Sequence, residues 1–480
     1  MSGCITDVVH ETTDSSRDGE RPDPETVALR ATTDLWRPPE LAARAAYVIR
    51  GNSAGAMTRA APDLYPHQWS WDAAFVAVGL AHVDVPRACA ELDSLFAGQW
   101  RTGMIPHIVF DPSEEGYFPG PDRWACAELT DDAPSSPRTS GICQPPVHAL
   151  AVERIGEIAE AHGGAAAEHY RDWLPGAYDR LLAWHHYLIR ERDPRGDGLL
   201  TIYHGWESGM DNSPRWDPVY ARVVVGADLP SYTRRDTAVV ADASQRPDPA
   251  EYDRYLWLVE RFKQAGYDAA RIRRNAEFLT TDVFASAVFA VANEALAHLA
   301  RRLGRPEHDE LLAAAELFRR GVLGARDVRS GLALDTDLLT GAPVRVETIA
   351  GFAPLVSGGL DTGAERGLLE LLRSPRWTGH PDLPHPVVPT TSPASPDFRR
   401  RAYWRGPSWP VMNWFLAWML NRRGAKDTAA SLRTAALAEL SDGSFAEYYE
   451  PLTGEPLGSV DQSWSAAATL DLVLAHDWPD

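Results

Sequence analysis

The segment from Gly205 to Trp216 sets two carboxylates between two tryptophans. The acids are Glu207 and Asp211, and because glycine and proline recur through the segment, it is predicted to be a loop and not a helix interior. An aromatic ring can pack on the C–H face of a pyranose, and a carboxylate can bind hydroxyls or move protons. The segment therefore suits a sugar-processing site. Tryptophans that anchor a core, with acids exposed to solvent, would give the same pattern.

Three other segments combine tryptophan or tyrosine with acidic or polar residues. They are 65–72, 403–410 and 445–451, and the last is followed by a further aromatic group at 461–465. Taken singly, each is more often packing than catalysis, and Asp72 could simply be a favourable charge at a helix N-terminus. Four such clusters on separate predicted loops exceed what core packing requires, which favours carbohydrate binding.

Two of the acids in these clusters are candidates for a catalytic pair. Glycoside hydrolysis needs one protonated carboxyl group that assists the leaving oxygen and a second that is ionised. Asp211 and Glu447 lie on predicted loops far apart in the chain. A fold that closes on itself would be needed to bring them together.

The elements that must position these loops are predicted helices. Residues 281–303 carry apolar side chains at helical spacing, with arginines in the last turn and Gly304 after it. Similar patterns predict about a dozen helices and few strands. The other predicted helices lie at about 38–50, 70–82, 86–99, 145–162, 168–191, 252–265, 306–320, 344–355, 363–373, 407–422, 426–440 and 462–475.

Long irregular stretches separate the helices, and such stretches are usually functional in compact domains. The aromatic and acidic clusters fall in or beside them. We therefore predict an all-α fold of the (α/α)6 toroid type, six helical hairpins in two concentric rings, with long loops forming a cap over the active site. A flat helical bundle would fit the same pattern. The irregular stretches are 101–143, 204–250, 323–343, 375–405 and 441–461.

Chain-wide features limit the domain organisation and location. Residues 1–30 are polar and acidic and are predicted to form a disordered tail, without the basic and apolar regions of a signal peptide. Residues 31–480 are predicted to form a single catalytic domain with cap-forming insertions at about 101–143 and 204–250. The chain has no run of about 18 consecutive apolar residues of the kind that spans a membrane. Its four cysteines are scattered, which favours a reducing compartment and a cytoplasmic location.

Charge and motifs limit the partners and cofactors. The formal net charge of -20 argues against nucleic acid or an anionic membrane as the main partner. Lys263 and Lys426 are the only lysines and the chain has no P-loop, so the sequence disfavours Schiff-base and P-loop chemistry. We predict no cofactor and no metal. A homo-oligomer is left open.

The motifs together resemble those of glycoside hydrolase family 63, one of the α/α-toroid families that include trehalases and processing α-glucosidases. Residues 206–211 with 215–216 resemble the family's acid-bearing motif, and 445–449 resemble its second-carboxylate motif. The chain is most similar to the bacterial glucosylglycerate and mannosylglycerate hydrolases of the family. The resemblance begins at about Ala61 and runs through 65–72, 105–107, Tyr117, Gln144, 206–216, 246–258, 403–409 and 447–464.

The resemblance implies an inverting hydrolase of glucosylglycerate or mannosylglycerate, with Asp211 as general acid and Glu447 as general base. Inversion implies carboxyl groups about 6.5–9.5 Å apart. The resemblance also implies that a small anionic glycoside binds to a set of substrate-binding side chains that includes Tyr65 and Trp69. The residues implied for the sugar are Trp71, Asp72, Gln144 and Trp409, and those implied for the glycerate are Tyr117, Arg246, Tyr252, Tyr403 and Gln462.

Electrostatics supports the glycerate set independently. In a chain of net charge -20, a small anion needs a bidentate guanidinium such as Arg246, with tyrosine hydroxyls as neutral donors beside it. From spacing alone, Arg246 would be a solvated loop charge. Glu207 is predicted to support its loop. The alternative functions are a neutral α-glucosidase or trehalase, and a non-catalytic carbohydrate-binding protein.

Overall fold

The computed structural model describes residues 37–239 and 242–479. The predicted tail, residues 1–30, lies outside the described residues. The described part of the chain contains twelve α-helices of 12 or more residues. They are α1 (Pro38–Gly51), α2 (Ser70–Ala81), α3 (Val85–Ala97), α4 (His148–His162), α5 (Gly164–Tyr187), α6 (Pro249–Gln264), α7 (Val283–Leu303), α8 (His308–Gly324), α9 (Thr362–Arg373), α10 (Pro410–Arg422), α11 (Lys426–Glu439) and α12 (Ser463–Leu474).

Shorter elements lie between these helices. The short α-helices are Pro121–Trp124, Cys126–Leu129, Asp217–Tyr220, Asp236–Val239, Ala269–Arg274 and Ala353–Ser357. The 3-10 turns are Gly205–Ser208, Pro214–Trp216, Ala243–Gln245, Ile349–Phe352, Tyr403–Arg405 and Leu440–Asp442, and a π-turn spans Leu188–Arg192. The strands are β1 (Ser53–Ala54), β2 (Met57–Thr58), β3 (Gln68–Trp69), β4 (Ile108–Val109), β5 (Thr201–Ile202), β6 (Thr280–Thr281), β7 (Thr336–Asp337), β8 (Ala342–Pro343), β9 (Tyr448–Tyr449) and β10 (Pro456–Leu457).

The strands pair antiparallel and fix loops, not a core sheet. β5, β6, β7 and β8 form one four-stranded sheet in that order. β3 pairs with β4, with Trp69 opposite Ile108, which brings the segment 65–72 beside His107. β9 pairs with β10, with Tyr448 opposite Leu457, so Glu447 is held at the open end of a hairpin.

Six helical elements at the centre pack in a closed cycle. In order they are α2, α4, α7, Ala353–Ser357, α10 and α12, each contacting the next, and α12 contacts α2. Every residue of α2 is buried, as is every residue of α10 except Arg422. A helix that is buried all round belongs in a protein interior. The amphipathic helices α1, α3, α5, α8 and α11 each pack against at least one member of this cycle.

Helix boundaries follow local capping chemistry. The Asp282 side chain accepts hydrogen bonds from the backbone N–H groups of Phe284 and Ala285 at the start of α7, and Gly304 ends the helix in the left-handed conformation. At α6, the side chains of Asp248 and Glu251 each accept a hydrogen bond from the other's backbone N–H. This capped start fixes the first turn of α6, which carries Tyr252.

The helix predicted at 344–355 begins later than expected. Residues 349–357 form a 3-10 turn followed by a five-residue α-helix. The preceding residues are extended because Thr348 bridges to Thr391 and the Val344 N–H donates to the Asp335 carbonyl. These tertiary hydrogen bonds override the local helical pattern.

One described helix, α7, is long and apolar enough to cross a membrane by length and composition. However, 89% of its most apolar 18-residue window is buried inside the protein. It also packs against α4, α5, α8 and Ala353–Ser357. These contacts are those of a central helix of the packed core.

Candidate active site

Two adjoining cavities open at the end of the molecule where α2, α4 and α12 begin. The inner cavity, of about 50 Å³, is lined by Ala60, Tyr65, Trp69, Trp71, Asp72, His107, Gln144, Gly209, Asp211, Tyr403, Trp404, Glu447, Gln462 and Trp464. The outer cavity, of about 330 Å³, is lined mainly by residues 62–66, 114–119, 235–236 and 246–247, with further side chains that include Trp69, Trp206, Asp211, Tyr252 and Tyr403.

Five side chains line both cavities and mark the junction between them. They are Tyr65, Trp69, His107, Asp211 and Tyr403. Glu447 and Asp72 line only the inner cavity, whereas Arg246 lines only the outer one. Of the two candidate catalytic acids, Asp211 can therefore reach a bond that joins a group in one cavity to a group in the other.

Glu447 is held by hydrogen bonds that favour its ionised form. The Tyr65 hydroxyl donates to Glu447 Oε1 at 2.9 Å, and the Ser459 N–H donates to Oε2 at 3.2 Å. The carboxylate is 1% exposed. Burial raises its pKa, while Arg246 and these two hydrogen bonds act in the opposite direction. A Cβ at position 458 would collide with Glu447 Oε2, so position 458 must be a glycine.

Asp211 has a different environment. Within the described residues, its carboxyl accepts no hydrogen bond from another side chain. Burial raises the pKa of Asp211 to about 8, with Glu447 adding to the effect and Arg246 opposing it. Asp211 is therefore protonated near neutral pH and suits the role of proton donor.

Asp72 lies in the first turn of α2 and faces the inner cavity. Burial raises its pKa well above the ordinary range, with Glu447 and Asp211 adding to the effect. Gln144 lies beside it, since Gln144 Oε1 accepts a hydrogen bond from the Trp71 N–H at 3.3 Å. From this position Asp72 can stabilise the start of α2 as a helix-terminal charge and can also contact a ligand in the inner cavity.

Tryptophans form the wall of the inner cavity, but Trp409, which was expected there, is not one of them. Trp71 lines it together with Trp404 and Trp464. These two residues lie within the sequence motifs but were not predicted as site residues. Trp409, expected to line the sugar pocket, is instead stacked on Trp404 with ring centroids 3.6 Å apart, and it lines neither cavity. Trp409 therefore supports the wall from behind.

Arg246 lies in the outer cavity within a network of hydrogen bonds and is not a solvated charge. Its side chain is 8% exposed, its Nη1 donates to the Tyr65 hydroxyl at 2.8 Å, and its guanidinium lies 4.2 Å from the centre of the Tyr403 ring. Arg246 Nε also lies 3.4 Å from Asp236 Oδ2. The guanidinium is thus fixed beside the cavity that an anionic group would enter.

Other expected glycerate residues divide between the cavities. Tyr117 and Tyr252 line the outer cavity with Arg246, and Tyr403 lines both. Gln462 lines the inner cavity with Glu447.

A second arginine near the outer cavity was missed by sequence reasoning. The guanidinium of Arg234 forms two hydrogen bonds with Asp236, at 3.0 and 2.6 Å, and lies 4.2 Å from the centre of the Tyr252 ring. His107, which lines both cavities, was also missed as a site residue. No local signal distinguishes such loop residues from solvated ones.

Gly209 allows the loop 205–216 to approach the inner cavity. Its φ is +69°, and an added Cβ would lie 2.5 Å from Trp71 Cζ2. A side chain here would therefore be strained by both the backbone conformation and the Trp71 ring. The glycine lets the backbone that carries Asp211 lie against the cavity wall.

Glu207 has the predicted supporting role. It is 2% exposed, and its two carboxylate oxygens accept hydrogen bonds from Arg192 Nη1 and Nη2 at 3.0 and 2.6 Å. The Tyr203 N–H donates to Glu207 Oε2 at 2.8 Å. The side chain lines neither cavity. The buried ion pair fixes the first turn of the loop that continues to Asp211.

Replacing Glu207 by glutamine should destabilise the fold by about 3 kcal/mol, because Arg192 would be left as a buried charge without its counter-ion. The free energy of unfolding in urea measures this loss. Glu455→Gln is the matched control, since its partner Arg401 lies at the surface and exposed pairs contribute only about 0–1 kcal/mol. Equal unfolding free energies for the two variants would contradict a structural role for Glu207.

The family model for the mannosylglycerate hydrolase MGH1-like glycoside hydrolase domain matches residues 65–465. The chain belongs to this family. The match spans both candidate catalytic acids and every side chain predicted to bind the substrate, from Tyr65 to Gln462. The resemblance to glycoside hydrolase family 63 is confirmed, because the fold also matches a solved member of that family.

Three relatives show how close the similarity is. The chain is 54% identical to a glucosylglycerate hydrolase of Mycolicibacterium hassiacum, over 91% of this chain and 98% of that protein. It is 41% identical to a mannosylglycerate hydrolase of Rubrobacter radiotolerans, over 91% and 97%. A crystal structure of the family 63 mannosylglycerate hydrolase from Thermus thermophilus, in complex with Tris and D-glycerate, matches with a TM-score of 0.81 at 39% identity, covering 90% of this chain and 99% of that one.

Proposed function

We propose that this protein is an inverting hydrolase of glucosylglycerate, with mannosylglycerate as a second substrate, that releases the sugar and D-glycerate. The observation that carries the proposal is the junction at Asp211. This carboxyl group lines both an inner cavity with Glu447 and an outer cavity with Arg246. A sugar in the inner cavity and a glycerate in the outer one would be joined by an oxygen beside Asp211.

The proposed reaction uses the two carboxyl groups in one displacement step. Asp211 gives its proton to the glycosidic oxygen as the bond from that oxygen to the anomeric carbon breaks. Glu447 takes a proton from a water molecule, whose oxygen bonds to the anomeric carbon on the opposite face. The glycerate leaves with a hydroxyl group, and the sugar is released with the opposite anomeric configuration. Glu447 ends protonated and Asp211 ionised, so one proton must return to Asp211 before the next cycle.

The outer cavity supplies recognition of an anionic aglycone. Arg246 offers a guanidinium for the carboxylate, and burial among aromatic rings strengthens the charge interaction relative to water. Tyr117 and Tyr252 line the same cavity. A neutral disaccharide has no anionic group to pair with a guanidinium held in this cavity, which is the reason to prefer a glycerate substrate.

The (α/α)6 toroid with a cap is the architecture that we propose for this site. The closed cycle of six central elements, with amphipathic helices packed against its members, supports a two-ring toroid. Both predicted insertions, 101–143 and 204–250, contribute to the outer cavity through residues such as Tyr117 and Arg246, which supports their role as a cap. A contiguous buried core that extends from Leu41 to Trp478 supports a single catalytic domain.

The cellular location is also a proposal. Cys89, Cys126 and Cys143 are buried and unpaired with one another, which supports a reducing, cytoplasmic compartment. Whether the chain forms a homo-oligomer can be measured by light scattering of the purified protein.

A substrate comparison tests the proposed function. Glucosylglycerate, mannosylglycerate, trehalose and maltose are each incubated with the protein, and the products are followed by proton NMR. We expect release of glucose from glucosylglycerate at the highest kcat/KM, with the inverted anomer appearing first. Faster hydrolysis of trehalose or maltose would favour the neutral glycosidase, and binding of all four without product would favour a non-catalytic binding protein.

A further inference from the structure

Three buried side chains connect the outer cavity with the inner one. Arg246 Nη1 donates a hydrogen bond to the Tyr65 hydroxyl oxygen at 2.8 Å, and the Tyr65 hydroxyl donates to Glu447 Oε1 at 2.9 Å. Arg246 lines only the outer cavity, Glu447 only the inner one, and Tyr65 both. The position that would recognise an anion is thus one hydroxyl group away from the candidate base.

The direction of each hydrogen bond follows from the donors available. A tyrosine hydroxyl has one proton and two acceptor positions, and arginine can only donate. Because Tyr65 gives its single proton to Glu447, it accepts from Arg246. In the 3.2 Å contact between the Tyr65 and Tyr403 hydroxyls, Tyr403 is then the donor. Two donors therefore polarise the Tyr65 O–H toward Glu447, and such chains of hydrogen bonds strengthen one another.

We propose that Tyr65 is a positioning residue that couples the charge on Arg246 to Glu447, so that an anionic aglycone bound at Arg246 increases the proton affinity of the catalytic base. The proposal rests on the proposed function for the role of Glu447. A carboxylate on Arg246 compensates the guanidinium charge and weakens the polarisation of the Tyr65 hydroxyl. The ionised form of Glu447 loses part of its stabilisation, and Glu447 becomes a stronger base when the correct substrate is bound.

Other groups that face Glu447 must be separated from this effect. The titratable or charged side chains whose fields reach Glu447 are Tyr65, Asp72, Asp211, Arg246, Tyr403 and Tyr448. Of these, Asp211 is the one that also responds to Arg246 and has a pKa near neutrality, of about 8. Proton uptake by Asp211, and a direct charge effect of Arg246 on Glu447 that bypasses Tyr65, are therefore the competing explanations that the experiment has to exclude.

Proton uptake on binding of D-glycerate tests the proposal without any need for turnover. Isothermal titration calorimetry is run with the full-length protein in buffers of different ionisation enthalpy, between about pH 5 and 8, with D-glycerate and with neutral glycerol. A shift in the pKa of Glu447 of about one unit gives a maximum uptake of about half a proton per D-glycerate. We expect this uptake with D-glycerate and none with glycerol.

Four variants identify the group that takes up the proton when D-glycerate binds. The uptake should be lost in Tyr65→Phe and in Glu447→Gln, and it should persist in Asp211→Asn and in Tyr178→Phe. Tyr178 is the matched control because its hydroxyl also donates to a glutamate, Glu307 Oε2 at 3.0 Å, but it lines neither cavity. If Tyr65→Phe does not fold, 3-fluorotyrosine at position 65 replaces it: its more acidic hydroxyl should move the pH of maximum uptake downward, and an unchanged pH profile would overturn the role of Tyr65.

The outcomes separate this proposal from the proposed function. Unchanged uptake in Tyr65→Phe, loss of uptake in Asp211→Asn, or a wild-type protein that binds D-glycerate without a proton or not at all would overturn the coupling. Failure to hydrolyse glucosylglycerate would instead overturn the proposed function, whatever the calorimetry shows.

Discussion

Replacing Asp211 by asparagine is expected to lower kcat on glucosylglycerate by about 10²- to 10⁴-fold, the usual contribution of a positioned general acid. Asparagine has nearly the same shape but cannot give a proton to the leaving oxygen. Asp211 lies at the junction of the two cavities, and no other described acid lines both. Steady-state kinetics of the purified variant, with circular dichroism to verify folding, measures the loss.

A substrate that needs no protonation separates the two carboxyl roles. Fluoride leaves α-glucosyl fluoride without full proton transfer, so Asp211→Asn should retain much more activity on this compound than on glucosylglycerate. Glu447→Gln is the matched control, because loss of the base should impair both substrates alike. If α-glucosyl fluoride failed to rescue Asp211→Asn selectively, Asp211 would not be the general acid.

The pH dependence of the wild-type reaction follows from the same assignment. Asp211 must carry a proton to act, and burial raises its pKa to about 8. The carboxyl group is therefore protonated below this pH, and kcat/KM should fall as the pH rises through about 8. In Asp211→Asn this alkaline fall should disappear from the residual activity.

Replacing Arg246 by alanine should lower kcat/KM for glucosylglycerate by about 10- to 100-fold, because a hydrogen bond to a charged group contributes about 1.5–3 kcal/mol. The neutral analogue glucosylglycerol, in which an alcohol replaces the carboxylate, should lose much less. The ratio of kcat/KM for the two substrates is the informative quantity. It cancels any effect of losing Arg246 that does not depend on the charge of the aglycone.

The conservative variant Arg246→Lys refines this comparison. Lysine keeps the charge but cannot form the planar paired contact of a guanidinium with a carboxylate, so part of the preference for the anionic substrate should return. Equal losses on the anionic and neutral substrates in Arg246→Ala would contradict carboxylate recognition by Arg246 and would favour the neutral glycosidase.

Local features of the chain can be predicted from the sequence alone. The apolar spacing of residues 281–303 and the glycine at 304 predict α7 within about one turn, because these signals act between residues only a few positions apart. The acid and aromatic motifs identified the loops of the site for the same reason. By contrast, the helix predicted at 344–355 was displaced by hydrogen bonds to distant segments.

The sequence by itself determined the family, most of the long helices and the two candidate acids, since these depend on residue types and on short-range spacing. Only the tertiary structure decided that Asp211 lies at the junction of two cavities, that Glu207 is neutralised by Arg192, and that Trp404 covers Trp409. The physical reason is that burial and charge pairing depend on groups that are distant along the chain. The proton affinity of a carboxyl group is set by its desolvation and its neighbours, and folding alone brings those neighbours together.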